Sequence, residues 1–213
     1  MSKGFNIKGK GLIVVISGPS GTGKDTVIGE ILKENDDICM SISATTRDPR
    51  AYEKDGGNYH FLSEESFKEV VKKGKMLEYA RYCGNYYGTL SDFVGQKIES
   101  GVDVILKIEV NGARQIRENC PDAVHIFILP PSIKELQERL KSRKTETKES
   151  FEQRFGLASQ EMALAADYDY IVVNKDRSAC ARDIWNIICA EKLRTSRIKN
   201  RTDHIIKEVL YNG

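Results

Sequence analysis

The sequence has little that would indicate an extracellular, membrane or nucleic-acid-binding protein. Its five cysteines are odd in number and show no C-x-x-C spacing, which argues against both a disulfide framework and a zinc site. The 33 basic residues nearly balance the 31 acidic ones, so a net charge of +2 gives no strong overall field. The first apolar run, residues 12–16, is too short to cross a bilayer. We therefore predict a cytoplasmic protein without nucleic-acid or membrane partners.

The chain also lacks internal repeats and low-complexity tracts, and apolar strand patterns alternate with helical ones along it. Short, continuous, β-branched runs are typical of strands buried on both faces. These runs lie at 11–17, 103–110, 123–129 and 168–174. Apolar residues at helical spacing predict helices. The helical patterns lie at 25–35, 112–119, 132–143, 150–166 and 179–193. This alternation predicts an α/β fold, a three-layer core built on a parallel sheet.

Two segments interrupt the alternation. Residues 43–94 hold short tyrosine-rich strands around one helix at 63–74, which predicts an inserted α+β lobe. Residues 143–155 are polar, join two helices and are typical of a mobile helical lid. The core then comprises 1–42, 95–142 and 156–213. An apolar stripe in 195–213 is compatible with packing on the core or with a homo-oligomeric contact, and both alternatives stay open.

A glycine-rich loop follows the first strand. Gly18, Gly23 and Lys24 satisfy G-x-x-x-x-G-K between a strand and a helix, the context in which such a loop binds phosphate. Its backbone N–H groups and the helix N-terminus attract an anion, and Lys24 supplies a movable positive charge. We predict nucleotide contacts along the whole loop, at Gly18, Pro19, Ser20, Gly21, Thr22, Gly23, Lys24, Asp25 and Thr26.

Asp25 departs from this motif, which has Ser or Thr after the lysine. The hydroxyl at that position normally touches Mg²⁺, whereas a carboxylate can bind the metal directly, bind it through water, or point away. An anion beside a triphosphate is unfavourable unless a cation screens it. The protein ligands of a metal ion are therefore left unassigned.

Residues 45–61 contain groups that could bind a second phosphate. Arg47 and Arg50 lie three positions apart on a proline-containing stretch that can hold both in an extended loop. Their guanidinium groups offer bidentate hydrogen bonds to a phosphate dianion, and the hydroxyls of Tyr59 and Tyr87 can add to them. Two loop arginines alone, however, are more often solvated surface residues.

The second segment also resembles the signature of guanylate kinases. The matching residues are Thr45, Thr46, Arg47, Arg50, Glu53, Gly56, Tyr59 and Phe61. The resemblance continues through GPSGTGK, LEYARYCGNYYGT, FILPPSIKELQERLKSR and YDYIVVNKD, and it covers roughly residues 11–190. It implies a P-loop core, a GMP-binding lobe at 43–94 and a lid. It also implies transfer of the γ-phosphoryl group of ATP to GMP, with Mg²⁺ bound to ATP, while dGMP as acceptor stays open.

The resemblance further implies roles for individual residues. Ser43, Glu78 and Thr89 match guanine readers, because a carboxylate can accept from guanine N1–H and its N2 amine while a hydroxyl donates to O6. The matching GMP-phosphate ligands are Arg47, Arg50, Tyr59 and Tyr87. Glu109 matches an acid at the junction of the two nucleotides, and Arg139 and Asn174 match contacts of the ATP site. Arg139, Arg143 and Arg154 match lid arginines that close over the transferring phosphoryl group. The implied catalytic set is Lys24, Arg47, Arg143 and Arg154.

Three further positions depart from the family pattern. Lys107, in ILKIEVNG, stands where the family usually has an acid, and Tyr52 and Lys144 stand where glycine is common. In a strand over 103–110, Lys107 and Glu109 point to the same face. Lys107 could then either pair with Glu109 or contact a phosphate.

Two other functions stay open on the sequence alone. One is a catalytically weak or inactive guanylate-kinase-like module that binds phosphopeptides, and the other is a P-loop kinase of another small phosphorylated acceptor. Lys24, Arg143 and Arg154 favour an enzyme over the first alternative. Ser43 and Glu78 favour a guanine acceptor over the second.

Overall fold

The computed structural model describes residues 9–82, 84–141, 148–198, 202–203 and 207, without the side chains of 148–151, 153 and 154. The strands in this part of the chain are β1 (Ile13–Ser17), β2 (Ile38–Met40), β3 (Ala44–Thr45), β4 (His60–Phe61), β5 (Met76–Tyr82), β6 (Asn85–Leu90), β7 (Asp103–Lys107), β8 (Val124–Leu129) and β9 (Tyr170–Val173). The helices are α1 (Lys24–Glu34), α2 (Glu64–Lys72), α3 (Ser91–Glu99), α4 (Val110–Asn119), α5 (Ile133–Lys141), α6 (Lys148–Ala163) and α7 (Arg177–Lys192), with a 3₁₀ turn at Ala165–Asp167.

A parallel five-stranded sheet in the order β2-β7-β1-β8-β9 forms the core. Its central strand β1 is fully buried at Val14, Val15 and Ile16, as its continuous apolar sequence predicts. Helices α1 and α7 pack on one face, and α3 and α4 pack on the other. The α/β prediction is thereby confirmed. The carboxyl ends of β7, β1 and β8 lie side by side, which is where ligands bind in such sheets.

A second sheet, in the order β4-β3-β6-β5, is built from the segment predicted to be α+β. Its longest pairing is the antiparallel hairpin of β5 and β6. Helix α2 packs against it through the buried Phe67, whose ring contacts Tyr79 and Tyr86. Ser63 caps this helix at its start, and Gly74, with φ of 66°, follows its end as predicted.

The predicted strand at 103–110 was wrong at its end. β7 stops at Lys107, and Glu109 is already the N-cap of α4. The physical reason is that β7 loses its partner there, because Lys107 pairs with Ile16 and the chain beyond β1 turns into the glycine loop. The carbonyl of Ile108 instead accepts a hydrogen bond from the Ser17 hydroxyl. Lys107 and Glu109 therefore do not share a strand face.

Other differences concern the predicted lid and the tail. Residues 142–147, at the start of the predicted lid, lie outside the described residues, and α6 begins at Lys148. At the start of the tail, Arg197 donates to the carbonyl of Asp122, so this part of it packs on the core. Strand β2 and helix α3 had no counterpart among the sequence predictions. No helix in the described part of the chain is long and apolar enough to span a membrane.

Candidate active site

The glycine loop between β1 and α1 turns on glycines with positive φ. Gly18, Gly21 and Gly23 adopt φ of 146°, 91° and 85°, values that L side chains rarely adopt. Thr22 ties the loop to itself, because its hydroxyl donates to the Pro19 carbonyl at 2.9 Å. The loop is therefore preorganised, with α1 directly behind it.

Lys24 lies against the inside of this loop. Its ammonium group donates to the carbonyls of Gly18 and Pro19, the second at 3.1 Å. Burial lowers the pKa of Lys24, although Glu109 and Glu161 act in the opposite direction. An incoming phosphate would give this desolvated ammonium a partner of opposite charge, as the motif predicts.

Asp25 and Lys107 form an ion pair beside the loop. Asp25, in the first turn of α1, is largely exposed, and Lys107 reaches it from the end of the neighbouring strand β7. The sequence analysis considered Glu109 or a phosphate as the partner of Lys107. In the structure its partner is Asp25. The Thr26 hydroxyl donates to the Gly23 carbonyl at 2.7 Å.

Arg139 and Asn174 converge on the outer side of the loop. The Asn174 amide donates to the Thr22 carbonyl at 2.6 Å, and the Arg139 guanidinium lies within reach of the carbonyls of Thr22 and Asn174. Arg139 is also paired with Glu135, one turn earlier in α5.

An open pocket of about 430 Å³ lies beside these residues. It is lined by Gly21, Gly23, Thr26, Arg139, Asn174, Lys175, Asp176 and Arg177. The last three residues were missed in the sequence analysis. The available signal was their place directly after β9, since ligands gather at the carboxyl ends of parallel strands.

Arg47, Tyr59 and Tyr87 come together in the second sheet. The Arg47 guanidinium lies 5.5 Å from the centre of the Tyr59 ring, and the Tyr59 and Tyr87 rings meet edge to face at 6.0 Å. Tyr87 also lies close enough to Arg47 to interact with its charge. Three of the four predicted phosphate ligands therefore form one cluster, in which a cation is surrounded by phenol groups.

Arg50 lies at the edge of this cluster and is exposed. Glu53 joins the two arginines, because it accepts from the Arg47 side chain at 2.8 Å and from the Arg50 backbone N–H at 2.8 Å. The Arg50 side chain donates to the hydroxyl of Tyr52, which is exposed. Glu53 was part of the sequence signature but had not been assigned a role, and in the structure it links the two arginines of this loop.

Glu78 and Thr89 face each other across β5 and β6. Both side chains are buried, with 5% and 0% of their surface exposed, and the Thr89 hydroxyl donates to Glu78 Oε1 at 2.7 Å. Burial raises the pKa of Glu78 to about 7. Ser43 lies just before β3 and is held by its carbonyl, which accepts from His60 N–H at 2.9 Å. A buried carboxylate with few partners is suited to a ligand that brings hydrogen-bond donors.

Glu109 lies near the phosphate loop. It is the N-cap of α4, it influences Lys24 electrostatically, and it is hydrogen-bonded to Glu161 of α6. Burial and the nearby Glu109 raise the pKa of Glu161. Glu161 had not been singled out in the sequence.

Of the predicted lid arginines, Arg143 lies outside the described residues, and Arg154 belongs to α6 without a described side chain.

Comparison with known proteins agrees with this arrangement. The model of the guanylate kinase family matches residues 10–191, which is most of the chain. The chain belongs to the guanylate kinase family. It is 49% identical to the guanylate kinase of Clostridioides difficile over 201 residues, covering 94% of this chain and 98% of that protein. It is 46% identical to the guanylate kinase of Caldanaerobacter subterraneus over 196 residues, covering 92% of this chain and 95% of that protein.

A solved guanylate kinase structure shows that the similarity extends to the fold. The crystal structure of guanylate kinase from Anaplasma phagocytophilum superposes with a TM-score of 0.75 at 34% identity, covering 89% of this chain and 90% of that chain. This guanylate kinase family member and the Anaplasma phagocytophilum enzyme therefore share one fold.

Proposed function

We propose that the chain transfers the γ-phosphoryl group of ATP to GMP, giving ADP and GDP. The observation that carries this proposal is the buried pair Glu78 and Thr89 beside the Arg47 cluster. The pair offers an acceptor for a purine base, and the cluster offers a cation for a phosphate on the same sheet. The loop around Lys24 would hold the donor nucleotide.

The chemistry of Glu78 favours guanine over adenine. An ionised carboxylate can accept from both N1–H and the N2 amine of guanine, whereas adenine has no N2 amine and presents a lone pair at N1. Glu78 is buried, so with adenine its carboxylate would face a lone pair and gain no donor from the base. Sites that leave buried polar groups unpaired reject the wrong ligand strongly.

Phosphoryl transfer between the two sites would rest on positioning and on positive charge. Within the predicted catalytic set, the side chains of Lys24 and Arg47 are described by the structure. Arg143 and Arg154 are proposed to add their positive charge as the lid closes. We also propose that 43–94 and 143–155 act as GMP-binding lobe and lid on the remaining core. No general base is needed, since the second pKa of a phosphate monoester is about 6 and the acceptor oxygen is already anionic.

Magnesium fits this site only as an ion that arrives with ATP. Among the described residues no group of three or more His, Cys, Asp or Glu side chains could hold a metal ion. Mg²⁺ commonly keeps several waters and takes one or two carboxylates plus substrate phosphates. Asp25 is the carboxylate placed for this, and it is already paired with Lys107. The ion would neutralise charge on the β- and γ-phosphates.

A coupled ADP-release assay with ATP, Mg²⁺ and GMP tests the proposal. GMP-dependent turnover is expected, and AMP and ribose 5-phosphate should be poor acceptors, while dGMP defines the role of the 2′-hydroxyl. Turnover with another phosphorylated acceptor but not with GMP would favour a different small-molecule kinase. No turnover at micromolar enzyme, together with phosphopeptide binding, would favour a binding module. A cytoplasmic location and the absence of nucleic-acid and membrane partners stay predictions.

The affinity for GMP is expected to fall as the solution becomes acidic. Guanine binds the ionised form of Glu78, whose pKa is raised to about 7. Protonation below that value removes an acceptor, so the Kd of GMP should rise about 10-fold between pH 8 and pH 6. Calorimetric titration across this range measures it. A Glu78→Gln variant is the control, because its remaining pH dependence reports the phosphate group of GMP alone. Identical profiles for the two proteins would contradict the prediction.

Replacing Lys107 with glutamate is expected to change the magnesium requirement. The variant loses the cation that neutralises Asp25 and places a second carboxylate beside the loop. ADP binding without Mg²⁺ should weaken several-fold, about 1 kcal/mol, while the Mg²⁺ concentration for half-maximal binding should fall. Calorimetry of ADP with and without Mg²⁺ measures both quantities.

Lys33→Glu is the matched control for this change. Lys33 is exposed at the other end of α1, so the variant has the same net charge without altering the loop. An identical magnesium titration for Lys107→Glu and Lys33→Glu would remove any role for Lys107 at this site.

A further inference from the structure

Helix α4 is attached to strand β5 on both sides of Glu78. The Gln115 side chain accepts from the N–H of Tyr79 at 3.2 Å and donates to its carbonyl at 2.8 Å. The Asn119 amide donates to the carbonyl of Leu77 at 3.0 Å. Two side chains of the core helix therefore hold the backbone immediately before and after Glu78.

The pairing of β5 with β6 is irregular at the same place. The register shifts between Met76 and Glu78, which is the mark of a bulge, and Leu77 is the residue without a partner in the ladder. Bulges turn the following side chain to a new direction. Asn119 donates its hydrogen bond to the carbonyl of this same Leu77, so α4 holds the strand at the bulge from which Glu78 projects.

Gly112 provides the space into which Glu78 projects. A Cβ atom at this position would lie 3.1 Å from Glu78 Cδ and closer still to Oε2. The glycine lies inside α4 without the positive φ that would itself demand glycine. Alanine would be favoured there by about 1 kcal/mol on helix propensity alone. The contact with Glu78 is therefore the structural reason for a glycine at position 112.

We propose that Gly112, Gln115 and Asn119 form a positioning face on α4 that sets where the Glu78 carboxylate meets the guanine base. The three residues lie at helical spacing of three and four, so one face of the helix carries them all. Gly112 admits the carboxylate, and Gln115 and Asn119 fix the strand that bears it. The inference rests on the proposed role of Glu78 as the guanine reader. It makes a core helix a determinant of acceptor specificity, although none of its three residues is required to touch the ligand.

Gly112→Ala is the decisive variant, with Gly95→Ala as its matched control. Gly95 is also a helical glycine, in α3, and a Cβ there meets nothing within 4 Å. In Gly112→Ala the methyl group should displace Glu78, raising KM for GMP by about 10- to 100-fold and reducing the preference for GMP over AMP. The Kd of ADP and kcat at saturating GMP should change little. Gly95→Ala should leave all of these quantities unchanged.

The remaining variants and a stability measurement exclude a merely structural effect. Gln115→Ala and Asn119→Ala should each raise KM for GMP several-fold without changing the Kd of ADP. The melting temperature of Gly112→Ala should be unchanged or higher, because alanine favours the helix. Unchanged KM and selectivity for GMP in Gly112→Ala would overturn the proposal. Equal losses of GMP and ADP binding, together with a lower melting temperature, would overturn it as well.

A titration of Glu78 itself separates this inference from the proposed function. In ¹³C NMR without any substrate, the Glu78 carboxyl of Gly112→Ala should titrate at lower pH than that of the wild-type chain, because displacement exposes it to water. An unchanged Glu78 titration overturns the inference whether or not GMP is the acceptor. A shifted titration in a chain whose wild-type form has no GMP turnover supports the positioning of Glu78 and overturns only the proposed function.

Discussion

Replacing Lys24 with methionine is expected to lower kcat/KM for ATP by about 10³-fold or more. The ammonium group lies inside the phosphate loop, where it contacts the Gly18 and Pro19 carbonyls. Methionine has a similar length and no charge, so the variant keeps the packing and loses the cation that would meet the β- and γ-phosphates. The coupled ADP-release assay with saturating GMP measures the loss.

Folding of the Lys24→Met variant should be intact. Burial lowers the pKa of Lys24, which means that the charged form is desolvated and that an apolar replacement relieves this cost. The melting temperature should therefore be unchanged or raised. Lys33→Met, at the exposed end of the same helix, should keep wild-type activity. A Lys24→Met enzyme that retained a tenth of the wild-type activity would contradict the assignment of the loop.

Replacing Glu78 with glutamine is expected to lower kcat/KM for GMP by about 10²- to 10⁴-fold. The variant loses two charge-assisted hydrogen bonds, each contributing about 1.5–3 kcal/mol. In addition, the amide nitrogen of glutamine is itself a donor, and it would lie opposite an N–H donor of guanine. The preference for GMP over AMP should decline together with activity. Steady-state kinetics with both acceptors measure this change, and binding of ADP serves as the internal reference.

The stability of the Glu78→Gln variant should move in the opposite direction to its activity. The folded-state pKa of Glu78 lies at about 7, above the ordinary value of 4.5, so its ionised form is disfavoured in the folded protein. This cost is absent at low pH and is complete above pH 7, where glutamine should add about 3 kcal/mol to the free energy of unfolding. Urea unfolding at pH 8 measures it.

Glu69→Gln is the control for both the activity and the stability of the Glu78→Gln variant. Glu69 is exposed on α2 of the same lobe, so its replacement removes an equal charge without affecting the buried pair. Its activity and its stability should stay close to wild type. Loss of activity in Glu78→Gln with a matching loss of stability would contradict a recognition role and indicate a structural one.

Local sequence determined the phosphate loop, the buried strands and most of the helices. The phosphate loop is a local feature, in which glycines that adopt positive φ lie between an apolar strand and an amphipathic helix. All of its residues are close in the chain, so the pattern could be recognised from the sequence directly. The grouping of Arg47, Tyr59 and Tyr87 was suggested by their side-chain chemistry and favoured by the resemblance to the family, and the structure places these three together. The strand at 103–110 was predicted too long, because an apolar run does not show where its partner strand ends.

Only the tertiary structure decided which distant side chains meet at the site. Lys107 reaches Asp25 because β7 lies beside β1 in the sheet, and Asn174 reaches the loop because β9 ends on the other side of it. The attachment of α4 to the backbone around Glu78 likewise depends on how the second sheet lies against the core. Hydrophobic periodicity reports which face of a strand or helix is buried, and it carries no information about strand order or about the element that covers that face. The sequence therefore determined the parts of the site, and the packing of the sheets determined how those parts face one another.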